Sequence, residues 1–188
     1  MEIDLKNIKA IIGLGNPTEK YQNTYHNVGK LTINYIVQKL NIKKFKSEKY
    51  FRYYNITTNT NDTIYIIDSQ TFMNESNLVV QKVIEKFQIK SKEILIIHDD
   101  SDLQIGKFKY VFARGSAGHH GIESIFKSLK TKNFWRLRIG IRPINSSQKT
   151  LKAEKFVLKN INKKDKKIFY CIVDGLIEKL IKNVLPSS

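Results

Sequence analysis

Short apolar runs alternate along this chain with segments of helical periodicity, and this order restricts the fold more than any other feature. Strands that alternate with helices indicate an α/β fold whose helices cover both faces of one sheet. The candidate strands span residues 8–14, 50–57, 63–68, 94–97, 107–112 and 135–141, and the candidate helices span 27–40, 76–87, 121–129 and 163–184. We therefore predict one domain over residues 1–188, built on a mixed, mostly parallel twisted sheet.

Two segments depart from the regular alternation. The runs 50–57 and 63–68 flank a polar turn, as expected of a hairpin, so some strand pairing should be antiparallel. The polar segment 145–155 is predicted to form a mobile flap beside a site. The last candidate helix, 163–184, is amphipathic, with apolar residues repeating at helical spacing.

The charge of the chain favours a polyanionic partner. The formal net charge is +16, and nucleic acid is the leading candidate for such a partner. Of the 33 basic residues, 28 are lysines and 5 are arginines. A lysine bias of this kind is also expected of an AT-rich genome, so charge alone leaves the partner open.

The sequence indicates neither secretion nor a membrane span. The first residues contain acidic side chains and no apolar segment of the kind found in a signal peptide. The longest apolar runs are far too short to cross a bilayer. Cys171, the single cysteine, has no partner for an internal disulfide. We expect a reduced, cytoplasmic protein, monomeric by default and with no obligate protein partner.

Four polar clusters stand at the ends of the candidate elements. Because ligands of an open α/β sheet bind beyond the carboxyl ends of the strands, these clusters are the candidate site. They are Asn16 with Tyr21 and His26, residues 72–77, residues 98–102, and residues 115–121. His26 and Asp99 both follow strand ends, so the two side chains are placed to meet. A carboxylate that holds one ring nitrogen leaves the other free to take a proton from water.

Other interpretations of the clusters are weaker. A dinucleotide site lacks the third glycine after Gly13 and Gly15. A metal site could draw on His98, Asp99, Asp102, His119 and His120, but none of these has the spacing that makes a metal motif specific. The loop 115–118 could bind a phosphate at a helix N-terminus. No serine stands in a nucleophile elbow.

Together the clusters resemble the bacterial peptidyl-tRNA hydrolases. The matching motifs are Gly-Leu-Gly-Asn-Pro at 13–17, Thr-Tyr-His-Asn-Val-Gly at 24–29, Thr-Phe-Met-Asn-Glu-Ser at 71–76, His-Asp-Asp-Ser-Asp-Leu at 98–103, Gly118-His119 with Gly121, and Phe-Trp-Arg-Leu-Arg-Ile-Gly-Ile at 134–141. They occur in the order and spacing of that family. The resemblance implies an esterase that cleaves peptidyl-tRNA and recycles the tRNA without a metal or a nucleotide cofactor.

The resemblance also implies roles for individual residues. His26 would be the general base, oriented by Asp99. Asn16 and Asn74 would position the peptide and the ester carbonyl, and Tyr21 would contact the tRNA 3′ end or fix the geometry of the site. Lys109 and Arg138 match basic positions that hold a tRNA phosphate, in agreement with the net charge.

The clearest departure from the family is His120, which stands where an asparagine is usual. A neutral imidazole both donates and accepts hydrogen bonds, whereas a protonated one only donates. We expect His120 to keep a positioning role for water or substrate and to add pH sensitivity on the acid side. Two alternatives to this enzyme remain open from the sequence: a non-catalytic RNA-binding protein on the same scaffold, and a metal-dependent hydrolase.

Overall fold

A computed structural model describes residues 3–144 and 152–183. The strands are β1 (Ala10–Gly13), β2 (Lys46–Ser47), β3 (Phe51–Thr57), β4 (Thr63–Ser69), β5 (Ile94–Gln104), β6 (Phe108–Phe112) and β7 (Trp135–Arg142). The helices are α1 (Val28–Lys39), α2 (Ser76–Phe87), α3 (His120–Leu129) and α4 (Lys163–Asn183). The helices begin and end within two residues of their predicted bounds over the part of the chain that is described.

All seven strands join one sheet in the order β2-β3-β4-β1-β5-β7-β6. The central pairs β4–β1, β1–β5 and β5–β7 are parallel, whereas β2–β3, β3–β4 and β6–β7 are antiparallel. The mixed sheet is confirmed, but three of its six strand pairs are parallel rather than most of them, and these three lie at the centre. Strands β3 and β4 are antiparallel because the link between them is too short for a parallel crossover. The link β5–β6 is also short, so β6 runs opposite to β5 and therefore opposite to β7, which is parallel to β5.

Alternate residues of the central strands face two separate apolar cores. Ile11 of β1 packs on the side covered by α1 and α4, whereas Ile12 packs on the side covered by α2 and α3. Both side chains are completely buried. The nearly continuous apolar sequence of β1 and of the first half of β5 follows from this arrangement, since these strands are covered on both faces.

Strand β5 is longer than the sequence predicted. The prediction ended it at residue 97, with the polar cluster 98–102 after its end, and this bound is wrong: β5 continues to Gln104. Beyond Ile97 the strand still pairs with β7, while its other neighbour, β1, ends at Gly13 opposite Ile97. Asp99 therefore lies inside a strand, and the edge of β5 that faces β1 is unpaired there because β1 has already ended.

Two other expectations are only partly covered by the described residues. Residues 145–151 of the predicted flap lie outside them, while Ala153–Lys155 form a short helical turn. Within the described ranges, no helix is both long and apolar enough to cross a membrane.

Candidate active site

Gly13 and Gly29 bring α1 against the ends of β1 and β5, and a Cβ atom on Gly13 would lie 2.4 Å from the Gly29 carbonyl oxygen. A Cβ atom on Gly29 would lie 2.3 Å from the Ile97 carbonyl oxygen and 2.5 Å from that of Leu14. Because only glycine allows this approach, the turn that precedes α1 is drawn over the place where β1 ends. His26 belongs to that turn, Tyr25–Asn27.

The side chain of Asn27 locks the same turn to the loop after β1. Its Oδ1 accepts from the Asn16 amide at 2.8 Å, and its Nδ2 donates to the Asn16 carbonyl at 3.0 Å. Both asparagines are buried. These two hydrogen bonds pair the side-chain amide of Asn27 with the backbone N–H and C=O of Asn16, as a neighbouring strand would. They fix the position of Asn16 relative to His26.

His26 and Asp99 meet as predicted. Nδ1 of His26 lies 2.9 Å from Oδ1 of Asp99, whose residue is 2% exposed. Burial opposes protonation of His26, but attraction to the Asp99 carboxylate and the hydrogen bond to it outweigh burial and raise the pKa of His26. Burial also opposes ionisation of Asp99, yet His26 and His119 hold the pKa of that carboxyl well below its usual range.

His119 completes the cluster, and the sequence analysis assigned it no catalytic role. Its Nε2 lies 3.1 Å from the same Oδ1 of Asp99. Its Nδ1 accepts from the Ile122 amide at 3.3 Å, so the ring proton is on Nε2, which donates to Asp99. His119 also stands at the N-cap of α3. Its place directly before a candidate helix, next to Gly118, was the available signal in the sequence.

The hydrogen bonds assign a tautomer to each neutral ring. Asp99 is an acceptor for both histidines, so Nδ1 of His26 donates, and in the neutral ring Nε2 keeps a free lone pair. A pocket of about 170 Å³ is lined by His26, His119 and Asp99, with Ala153, Glu154 and Val157 on its other side. The lone pair of Nε2 is thus available to a water molecule in a partly enclosed site.

Within the described chain, His26, Asp99 and His119 form the one group of side chains close enough together to hold a metal ion. Their ligand atoms lie within 4.8 Å of one another. A metal at Nε2 of His119 would need the lone pair there, and the ring proton would have to move to Nδ1, against the amide of Ile122. This contact favours the hydrogen-bonded cluster over a metal centre.

Asn16 is held by Asn27, which adjoins His26 in the chain, and the oxygen of its side-chain amide is already hydrogen-bonded. Its Oδ1 accepts from the Met73 amide at 2.9 Å, which fixes the orientation of the group. Its Nδ2 donates to no protein atom among the described residues. A buried amide that is held by its oxygen presents two N–H donors in a fixed direction.

The other three predicted substrate contacts are on the surface. Asn74 is exposed in the turn Met73–Glu75, and Tyr21 is partly exposed, with the Lys20 ammonium 5.6 Å from its ring centroid. The His120 side chain is 80% exposed and lies 3.8 Å from Glu123. His120 lines the pocket, whereas the structure shows no hydrogen bond from Asn74 or Tyr21 to the Asp99 cluster within the described chain.

Lys109 and Arg138 face each other across an antiparallel strand pair. They are directly opposite in the β6–β7 register, so their side chains emerge on the same face of the sheet. Arg138 is ion-paired with the buried carboxylate of Asp100, whereas Lys109 is exposed. Asp100 also accepts from the Asp102 amide at 2.9 Å. Asp100 therefore orients Arg138 and stabilises the bulged end of β5.

Arg136 is a second feature that the sequence analysis left unassigned. It is 1% exposed, and its guanidinium donates to the carbonyls of Arg114 and Gly115 at 2.9 and 2.7 Å. Burial lowers its pKa to about 10, so it stays charged at neutral pH. These bonds hold the loop 113–118, in which Ala113, Ala117 and Gly118 have positive φ and which leads directly to His119.

Known proteins share both the sequence and the fold of this chain. The family model for peptidyl-tRNA hydrolase matches residues 10–185. The peptidyl-tRNA hydrolase of Hydrogenobaculum sp. is 40% identical over 179 residues, which cover 94% of this chain and 91% of the relative. That of Mycoplasma mycoides is 39% identical over 137 residues, 73% of each chain.

The fold agrees with the sequence comparison. The crystal structure of peptidyl-tRNA hydrolase from Acinetobacter baumannii superposes with a TM-score of 0.81 at 25% identity, covering 97% of this chain and 91% of that one. The match extends over the β1 loop, the turn before α1, the end of β5 and the start of α3, which together build the Asp99 cluster. The chain belongs to the peptidyl-tRNA hydrolase family.

Proposed function

We propose that this protein hydrolyses the ester bond that joins a peptide to tRNA, releasing the free peptide and the tRNA. The observation that carries the proposal is the pairing of His26 Nδ1 with Asp99 at 2.9 Å, which leaves Nε2 as an acceptor toward the pocket. A neutral imidazole fixed in this tautomer is suited to take a proton from water.

In the proposed reaction, water attacks the ester carbonyl while its proton passes to Nε2 of His26. The positive charge that develops on the ring is stabilised by the Asp99 carboxylate. The tetrahedral intermediate carries negative charge on the former carbonyl oxygen, and in this proposal Nδ2 of Asn16 donates a hydrogen bond to it, with the amide oriented by the Met73 N–H. His26 then returns the proton to the departing ribose oxygen, so that the products are a peptide carboxylic acid and a tRNA hydroxyl.

The remaining predicted residues serve binding in this proposal. Asn74 and Tyr21 contact the substrate from the surface, and His120 contacts water or substrate at the pocket that it lines. Lys109 and Arg138 bind a phosphate of the tRNA, an interaction that supplies affinity without reading base sequence. Translation supplies this substrate, so we place the protein in the cytoplasm.

One experiment separates this function from its alternatives. Purified protein is assayed with N-acyl-aminoacyl-tRNA, beside His26→Ala and beside wild type in EDTA. We expect hydrolysis by wild type, a loss of at least about 100-fold in kcat for His26→Ala, and no effect of EDTA. Tight tRNA binding without hydrolysis would favour the non-catalytic RNA-binding protein, and loss of activity in EDTA would favour a metal-dependent hydrolase.

A further inference from the structure

The edge of the sheet formed by β2 carries a basic groove that the proposed reaction does not use. The groove has a volume of about 630 Å³ and is lined by residues 42–46 with Tyr53 and Asn55. This edge is separated from β6, where Lys109 lies, by six strand spacings, or roughly 29 Å at about 4.8 Å each. A contact here is therefore distinct from the phosphate contact proposed for Lys109 and Arg138.

Phe45 lines this groove at the edge of the sheet, and its ring also contacts Arg52 and Tyr54, which lie on the face of β3 opposite to the groove residues Tyr53 and Asn55. It is 53% exposed, the highest value among the phenylalanines of the described chain. The Arg52 guanidinium lies 5.6 Å from the centroid of its ring, and the Tyr54 ring lies 5.9 Å from it on the same side of the strand pair. An aromatic ring beside a guanidinium plane is the arrangement on which unpaired nucleic-acid bases stack.

The charge of the groove is of one sign. Lys43, Lys44 and Lys46 are exposed, and none of them forms an ion pair within the described part of the chain. No acidic residue lines the groove. The neighbouring groove offers a contrast, because two of its three lysines are ion-paired: Lys86 pairs with Glu48 at 2.8 Å and Lys82 with Glu85 at 2.6 Å.

Arginine usage sets this patch apart from the general lysine excess. Only five arginines occur in the sequence, and four of them, Arg114, Arg136, Arg138 and Arg142, lie on β7 or on the loop that leads to the candidate active site. The fifth is Arg52, which stands beside Phe45. A compositional bias toward lysine explains neither the arginine nor the exposed ring.

We propose that the β2 edge is a second nucleic-acid-binding surface, which binds a single-stranded RNA segment by stacking on Phe45 and Arg52. Lys43, Lys44 and Lys46 contact the phosphates of that segment. The surface anchors the protein on RNA and takes no part in the chemistry at His26. This inference therefore does not depend on the proposed function.

The test uses a fluorescein-labelled oligouridylate of 12 nucleotides and the full-length protein, with binding followed by fluorescence anisotropy at several salt concentrations. The variants are Phe45→Ala and the triple variant Lys43→Gln/Lys44→Gln/Lys46→Gln. The matched control is Lys6→Gln/Lys90→Gln/Lys92→Gln, which removes the same charge from exposed lysines at the amino ends of β1 and β5. All substitutions are at exposed positions, where the fold should tolerate them.

We expect the groove triple variant to bind at least about tenfold more weakly and to flatten the salt slope by about 2, since each phosphate contact to a single strand contributes about 0.7. Phe45→Ala should weaken binding by about tenfold without changing the slope, because stacking releases no counterions. The control should change affinity by less than about twofold.

Three results would overturn the proposal. Equal losses of RNA affinity in the two triple variants would mean that RNA responds to the overall positive charge of the protein and not to this groove. Binding to anionic lipid vesicles or heparin that matches RNA binding and ignores Phe45→Ala would mean a general polyanion surface. A fall of more than about threefold in kcat/KM for N-acyl-aminoacyl-tRNA in Phe45→Ala would place the groove within the substrate site.

Discussion

His98 and His119 meet edge to face, with ring centroids 4.5 Å apart and an angle of 68° between their planes. His98 is buried, and its Nδ1 donates to the backbone carbonyl of Asp99 at 2.6 Å, while its Nε2 is buried without a hydrogen-bond partner in the described structure. Burial, together with His119 and Arg136, lowers the pKa of His98 well below its ordinary value. A neutral ring thus supports the cluster without adding positive charge beside Asp99.

The first prediction concerns the pH dependence of stability. Because the pKa of His98 is lower in the folded state, the unfolded state binds more protons below about pH 6.5, and stability is lost as the pH falls through that range. His98→Phe should remove this loss, which amounts to about 2 kcal/mol at pH 5 relative to pH 7.5. Urea unfolding of both proteins at the two pH values measures it.

The comparison between the two proteins cancels the contributions of the other histidines. His98→Phe itself should cost only about 1 kcal/mol at pH 7.5, because a hydrogen bond is lost while the ring packing remains. An equal loss of stability on acidification in wild type and variant would contradict a neutral, buried His98.

Asp99→Asn should reduce kcat by about 10³-fold and shift the acid limb of the rate profile to lower pH. The loss follows because an amide no longer selects the His26 tautomer that leaves Nε2 as acceptor. The shift follows because the Asp99 carboxylate is what raises the pKa of His26, and the neutral ring is the active form. The pH dependence of kcat/KM with N-acyl-aminoacyl-tRNA measures both effects. An acid limb at the wild-type position would exclude the proposed pairing.

His120→Asn tests the main departure from the family. His120 lines the pocket, and its side chain is 80% exposed. If the reaction needs both His26 and His120 neutral, log(kcat/KM) of the wild type should fall on the acid side by nearly two units per pH unit. In His120→Asn it should fall by one unit per pH unit. Identical profiles for the two proteins would mean that His120 takes no part in the pH dependence.

Arg136→Met should loosen the loop 113–118 and lower kcat more than it raises KM, since that loop leads directly to His119. The guanidinium provides two hydrogen bonds to adjacent carbonyls, which a thioether cannot replace. We expect faster amide hydrogen exchange across the loop and a fall of about tenfold in kcat. Arg136→Lys should restore part of the activity, because an ammonium still donates to one carbonyl. Wild-type exchange rates in Arg136→Met would contradict a supporting role.

Periodicity was sufficient to predict the helices and the central strands, because each of these elements buries a regular pattern of side chains. It could not predict the extension of β5, since His98, Asp99 and Asp100 are polar and are buried only by their pairing with β7 and by the ion pair with Arg138. The His26–Asp99 contact was predictable from topology, as both residues follow the ends of apolar runs. The roles of His119 and Arg136 depend on single contacts, with an amide and with two carbonyls, that no local pattern encodes.

The final prediction is that Lys109→Ala weakens binding of full-length tRNA and flattens its salt dependence. Each phosphate contact to a double-stranded region contributes about 0.9 to the slope of log affinity against log salt, so the slope should change by about 0.9 and KM should rise severalfold at unchanged kcat. Lys92→Ala is the matched control, because it removes an exposed lysine from the turn directly before β5.

Lys109 is a better test of this contact than Arg138, although the two lie opposite each other. Arg138→Ala would leave the buried Asp100 carboxylate without its ion-pair partner, at a cost of about 3–5 kcal/mol in stability, and a change in KM could then reflect a damaged β5. Lys109 is exposed, so its removal changes the surface charge alone. A salt slope for Lys109→Ala equal to that of wild type and Lys92→Ala would remove Lys109 from the tRNA-binding surface.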